Sequence, residues 1–339
     1  MQRSAGLFVT CLLTVLAFAG CGGGNPNLFG PSPSPTPVAP NVSAEIKLPT
    51  ANSGPTAITR GPDSNLWVTE QKASKIAKIT GITSVTEYAT ITPKAGPSSI
   101  VTGPDAGLWI TYSTADRIGR ITPASGGFTE YPLSAGTHPQ EIFSVGTPTG
   151  SNLYFTEFGA NKIGVLTTAG ILLSEFPLPN PNSGPYSLIQ GPDNAVWFTE
   201  LNRSAIGRML TGGQFTNEYP TITPNAQPQT LVLGPDGALW FVEEGPQKLG
   251  RITLAGQLSE VSIAPAASIH GLVVGVDNKF YFGDPVGNKI AQYDTVTGAI
   301  KEFPIPTAGS MPFGLTLGVD GKVYFTENAA SNVGQLTYF

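Results

Sequence analysis

The chain is poor in the residues from which most catalytic and cofactor sites are built. Its 339 residues include two histidines, two cysteines and three methionines. Charged residues make up 12%, about half the share usual in a soluble domain. Net charge is −5, and no run or stripe of Lys and Arg is present, which argues against nucleic acid and phosphate-rich ligands. Cysteine and histidine form no cluster, which disfavours zinc. There is no CxxC pair, no nucleotide-binding glycine loop and no Ser-His-Asp spacing. Helical periodicity is also missing, and 41 glycines with 31 prolines favour many turns over long helices.

One long apolar run exists, at the start. Arg3 is followed by "AGLFVTCLLTVLAFA" from Ala5 to Ala19, which is typical of a signal segment and short for a membrane span. It ends in "FAGC", which resembles the lipobox of bacterial lipoproteins, with Phe18 in place of the usual Leu. That resemblance implies cleavage before Cys21 and lipidation of Cys21. Residues 1–20 are therefore expected to be a lipoprotein signal peptide and residues 21–41 a Gly/Pro-rich tether. The chain is expected to be exported to the cell envelope and to meet a membrane only through its lipid. Cys11 lies in the removed part, so no intrachain disulfide is expected.

The remainder, residues 42–339, repeats. The segments "GPDSNLWVTE", "GPDAGLWITY", "SNLYFTEF", "GPDNAVWFTE", "GPDGALWFVE", "GVDNKFYFGD" and "GVDGKVYFTE" place an aromatic at Trp67, Trp109, Tyr154, Trp197, Trp240, Tyr281 and Tyr324. Spacings of 41 to 45 residues, four strand signals per unit and no helix are the mark of a propeller. In each unit an apolar inner strand leads into a tight "GPDG"-type turn. An alternating second strand follows, then a third carrying a glycine, read as a close backbone approach. The outer strand tolerates proline because its edge needs no donor. The last unit lacks an outer strand, and "SAEIKLP" (Ser43 to Pro49) matches "LSEVSIA" and "IKEFPIP". The fold predicted is all-β: a seven-bladed β-propeller of four-stranded blades, closed by the N-terminal strand completing the last blade. A monomer is expected.

This geometry predicts two sets of side chains around one channel mouth. The first follows the repeat's proline: Thr56, Ser98, Gln140, Tyr186, Gln229, His270 and Phe313. The second ends the second strand: Glu70, Tyr112, Glu157, Glu200, Glu243, Asp284 and Glu327. Six acids in one ring read either as a repeated structural element bonding a turn in each blade, or as a site for a divalent cation or cationic ligand. Mg²⁺ or Ca²⁺ would suit oxygen donors, with Glu243, Asp284 and Glu327 as the expected ligands. His270 is the one member of the first set able to act as a base near neutral pH; a histidine satisfied by backbone bonds is the alternative. His138 reads as a loop residue. Tyr186, Gln229 and Phe313 are the expected pocket wall.

"GPDGALWF", "NKIGVLT" and "SEFPLPNPNSGPY" resemble the virginiamycin B lyase (streptogramin lyase) family over all seven units. The resemblance implies a seven-bladed propeller that opens a cyclic depsipeptide at its ester by elimination, assisted by Mg²⁺. The family's working groups lie in the last two units: a His in a "PHAI"-like start, a Glu and a His in an "EPHGI"-like start, and a Glu after the final "WF". Unit for unit, the first His falls on His270, the first Glu on Met311, the second His on Phe313 and the last Glu at or beside Glu327. Shifted by one unit they fall on Gln229, Ser268, His270 and near Asp284. Neither register keeps both histidines and the first Glu.

Three functions follow from these residues. The first is a lyase-like or hydrolase-like enzyme with His270 as base and Glu327 as catalytic partner. The second is a non-catalytic propeller that binds a small molecule, peptide, glycan or protein. The third resembles the lactonase propellers, whose Asn-plus-Asp pattern is missing here. A His270 within reach of a carboxylate in an open pocket favours chemistry, and one buried under Phe313 and Tyr186 favours binding.

Overall fold

The second strand of six units, such as Leu66–Glu70 or Leu239–Glu243, is buried at every position, and that of unit three over its last five residues. Alternation would hide only one face of a strand. Here both faces are hidden, because the strand lies between two strands of its own sheet and between two neighbouring sheets. The computed structural model describes residues 41–148, 150–263 and 268–338. The expected signal peptide, Cys21 and the tether up to residue 40 lie outside them.

Seven antiparallel sheets of four strands form the seven blades of a β-propeller. Blade one spans residues 55–89 and blade six 270–304. Each inner strand lies beside that of the next blade, and Pro55–Arg60 of blade one lies beside Pro312–Leu317 of blade seven, which closes the ring. The outer strand of blade seven is Asn41–Lys47, antiparallel to Asn332–Thr337, with Ile46 opposite Val333. Ile46 and Leu48 are buried there against blade one, so a segment from the chain's start completes the sheet at its end.

The turn and the aromatic form one unit. Trp67, Trp109, Trp197 and Trp240 donate their indole N–H to Asp63, Asp105, Asp193 and Asp236 at 3.0–3.1 Å. The other carboxylate oxygen takes Lys78, Arg120, Arg208 or Arg251 at 2.6–2.8 Å, and that cation lies over the indole ring. Burial opposes ionisation of Asp63, but hydrogen bonds from Lys78, Asn65 and Trp67 outweigh it and hold the carboxyl down at about 2. In blades six and seven Tyr281 and Tyr324 donate to Asp277 and Asp320.

The third-strand glycines answer to a side chain, not to backbone as expected. A Cβ on Gly164, Gly207, Gly250 or Gly334 would stand 2.1–2.2 Å from the ring of Phe155, Phe198, Phe241 or Phe325. The ring lies across the strand in the space a side chain would fill.

In three blades a threonine ties the blade to the next. The inner-strand ladder skips one residue after the proline. The freed amides of Ala57, Ser99, Glu141, Ser187 and Gly314 donate to Thr69, Thr111, Thr156, Thr199 and Thr326 at 2.8–3.0 Å. Three of these hydroxyls, on Thr111, Thr156 and Thr326, donate onward to Gln140, Tyr186 and Thr56 carbonyls of the following blade at 2.7–2.9 Å. Blades five and six carry Val242 and Gly283 at this position and lack the bridge.

Removal of residues 41–49 is expected to lower the midpoint of the entire unfolding transition, since it reopens two sheet edges at once. Scanning calorimetry with hydrogen exchange checks this. An unchanged midpoint with fraying confined to Asn332–Thr337 would refute closure as the element that holds the ring.

Candidate functional site

The inner strands start at one mouth of the channel. Thr56, Ser98, Gln140, Tyr186, Gln229 and Phe313 line a cavity of about 250 Å³ there, together with Gln71 and Glu141. Blade six contributes Gly271 and Leu272 to the lining, and His270, the residue before them, stands behind Phe313 of the wall. Its ring stacks on Phe313 at 4.6 Å between centroids and 24° between planes. Its Nε2 is 3.7 Å from Oε1 of Glu244, while Nδ1 is shut away from solvent with no hydrogen-bond partner. Proton exchange with a ligand therefore runs through Nε2, beside Glu244. Burial lowers the His270 pKa, and the Glu244 carboxylate only partly opposes this, so the ring is neutral at pH 7 and can accept a proton. Gln229 donates its amide N–H to the other oxygen of Glu244.

The local backbone brings His270 close to Phe313. Ile269, in place of the usual proline, is fully buried in the core between blades five and six. Gly271 has φ +60°, and a Cβ on it would stand 2.3 Å from the carbonyl oxygen of Phe313. A Cβ on Gly283 would stand 2.9 Å from the Pro312 carbonyl. Close approach of bare backbone thus replaces the threonine bridge at this seam.

The second set of acids does not ring the mouth. Glu70, Glu157, Glu200, Glu243, Asp284 and Glu327 are at most 2% exposed, and none lines the cavity. Five of them pack inside their own blade beside an ion pair to the outer strand from the third strand or the turn before it: Lys75–Glu87, Lys162–Glu175, Arg203–Glu218, Lys248–Glu260 and Lys289–Glu302, at 2.6–2.9 Å. Glu327 is met by Asn332 instead, at 3.4 Å. The reason is position: the second strand is one step out from the axis, so its last side chain points along the blade. The residue after it turns to the mouth, as Gln71 does in the cavity wall and Glu244 does beside His270. The doublet Glu243-Glu244, where five of the other units have a single acid and unit two has none, was the signal in the sequence for this missed residue.

Glu243, Asp284 and Glu327 stand on three successive blades, each buried in its own. Among the described residues no three His, Cys, Asp or Glu side chains come together to hold a metal ion. These three acids therefore do not fit a shared Mg²⁺. His138 is an exposed rim residue whose ring meets the Ser113 carbonyl at 3.0 Å.

The pattern of the virginiamycin B lyase family matches residues 40–181 and 124–338. The chain belongs to the virginiamycin B lyase family. A structure described as streptogramin B lyase is 35% identical, with 87% of this chain and 96% of that one covered and a TM-score of 0.80. Virginiamycin B lyase from Staphylococcus aureus is 35% identical over 87% of this chain and 99% of its own, with a TM-score of 0.81. A catalytically inactive histidine-to-alanine variant of that enzyme with quinupristin is 34% identical over the same shares, with a TM-score of 0.80. No curated protein matches the chain significantly. In this virginiamycin B lyase relative Met311 is exposed at the rim with φ +56°, and Phe313 is the ring that covers His270.

The buried acids make stability depend on pH. Burial first, and a neighbouring carboxylate as well, raises Glu200 and Glu243 to about 7 and Glu157 and Glu327 to about 8 from 4.5. Between those values the folded chain binds protons that the unfolded chain has released. This contribution is complete below pH 4.5 and is lost as pH rises through 7 to 8. The melting midpoint is expected to fall from pH 5 to pH 8.5, and Glu243→Gln is expected to flatten the slope. A midpoint that stays level or rises across this window would contradict the assignment.

Proposed function

We propose that this chain is an exported propeller, lipid-anchored through Cys21, which binds a small molecule or peptide at the channel mouth and cleaves a carbon–oxygen bond in it as a lyase. The observation that carries this reading is His270: neutral, faced by Glu244 at 3.7 Å, and stacked on Phe313 of the cavity wall in a lyase family. The inactivity of a histidine-to-alanine variant in the Staphylococcus aureus relative supports a histidine in this role.

In the proposed reaction His270 accepts a proton from carbon through Nε2. The electron pair forms a double bond, and the C–O bond to the leaving group breaks. Glu244 stabilises the imidazolium so formed. Glu327, the partner expected from the family pattern, is buried away from the cavity, and that part passes to Glu244. The Tyr186 hydroxyl and the amides of Gln140 and Gln229 are the wall groups left to meet charge on the leaving oxygen. Among the described residues no set of acids fits Mg²⁺, and no step is assigned to a metal.

A second reading, a propeller that binds without catalysis, is favoured by Phe313 covering one face of the imidazole. One experiment separates the two. The purified protein is incubated with a streptogramin B, with and without Mg²⁺, and followed by chromatography and mass spectrometry. Elimination yields a linear product of unchanged mass, and hydrolysis adds one water. Linear product that falls at least about 100-fold in His270→Ala is the expected result. Binding without product sinks the lyase reading, and undiminished turnover in His270→Ala removes that residue as base. Cys21→Ser is expected to move the protein from the membrane fraction to the soluble one; an unchanged distribution rejects the anchor.

A further inference from the structure

The position just after the first mouth set carries a small, uncharged residue in six blades: Ala57, Ser99, Ser187, Thr230, Gly271 and Gly314. Blade three carries Glu141 there. All of these but Ser187 line the mouth cavity, and so does Glu141. A long acid thus stands where the repeat otherwise leaves room. Among the described residues that line the cavity it is the one carboxyl, and Lys, Arg and His are absent; Tyr186 is the other ionisable group.

The acid is held in place from three blades. Its own amide donates to Thr156 at 3.0 Å, and the Thr156 hydroxyl donates onward to the Tyr186 carbonyl of blade four at 2.9 Å. The Ser187 hydroxyl and the Leu188 amide turn to the carboxyl. The same Ser187 oxygen accepts the Leu231 amide of blade five at 3.0 Å. A glutamine, of equal length, could accept the same two bonds, so tying the blades together does not call for an acid. What a carboxyl adds is a proton it can give up. Burial, which outweighs the bonds from Ser187 and Leu188, raises Glu141 to about 7, and below that value the proton stays on.

The elimination needs such a proton. As the C–O bond breaks, its electron pair passes to the leaving oxygen, and no Lys or Arg of the wall stands ready to meet that charge. We propose that Glu141 is a second catalytic group of this site, the acid that gives its proton to the leaving oxygen while His270 takes a proton from carbon. This rests on the lyase reading of the site. The C–H pair becomes the new double bond, the C–O pair goes to the leaving oxygen, and the Glu141 proton joins that oxygen. Glu141 is left a carboxylate and His270 an imidazolium. The imidazolium then loses a proton to water and Glu141 regains one from water, so nothing is consumed. Glu141 of blade three and Gly271 of blade six, next to His270, both line the cavity. Blades three and six are as far apart as two blades of seven can be, so acid and base come at the ligand from different sides.

The test follows binding and turnover of a streptogramin B by the purified full chain between about pH 5 and pH 9. In the unaltered protein kcat/KM is expected to fall as pH rises through about 7, where Glu141 loses its proton, while the acidic limb belongs to His270. Glu141→Gln can still donate a hydrogen bond but cannot hand over a proton. It is expected to bind the probe within about twofold of the unaltered protein, which also shows that it is folded. Its turnover is expected to drop at least about 100-fold, and what remains should no longer fall above neutral pH. Turnover that survives Glu141→Gln while His270→Ala abolishes it overturns this role alone. A kcat/KM level across neutral pH in the unaltered protein overturns it without any variant. No product from the unaltered protein sinks the lyase reading and this role with it.

Discussion

Everything in this fold depends on one antiparallel pairing, that of Asn41–Lys47 with Asn332–Thr337. A blade has two apolar faces and can hide both only when it has a neighbour on each side. In an open row the two end blades would each expose a face, and blade seven would lack a strand. Pairing the first strand with the last removes both defects. It also fixes the channel, because the seven inner strands keep their places only as a closed set. The cavity at the mouth, with one wall residue from nearly every blade, is a product of that closure.

Within the ring, repetition supplies stability and departure from it marks the site. The Trp–Asp–cation unit and the bridging threonine recur because each satisfies a buried polar group that a sheet ladder leaves over. The threonine itself is missing where Val242 and Gly283 stand, on either side of the seam that carries Gln229, Glu244 and His270. At the next seam the backbones of blades six and seven touch through Gly271 and Gly283, and the imidazole is pressed onto Phe313. A repeat that is otherwise consistent gives way where ligand-facing groups are gathered.

The acids show how the same residue type takes two roles through position alone. Glu243 ends a strand, is buried, and is surrounded by Lys248 and Glu260. Glu244, the next residue, has left the strand and faces the mouth. One is raised to about 7 by burial and belongs to the blade; the other faces His270 and takes the Gln229 amide. Their neighbours in sequence are nearly the same, and only their neighbours in space differ.

The blade count, the four strands per blade, the closing strand and the first set of mouth residues were all legible in the sequence. Each rests on local chemistry repeated seven times: a proline-led turn, an alternating strand, an aromatic at a constant interval. His270 was legible for the same reason, as an odd member in a known place. Three features were decided by tertiary structure. The second set of acids is hidden, because the direction of a strand's last side chain depends on which strand lies outside it. Glu244 of blade five met His270 of blade six, because the residue after the second strand turns toward the neighbouring blade. His270 met Phe313, because two glycines let neighbouring backbones approach. A period in the sequence determines what each blade is made of; which side chains share a space is determined by the curvature that brings seven blades around one axis.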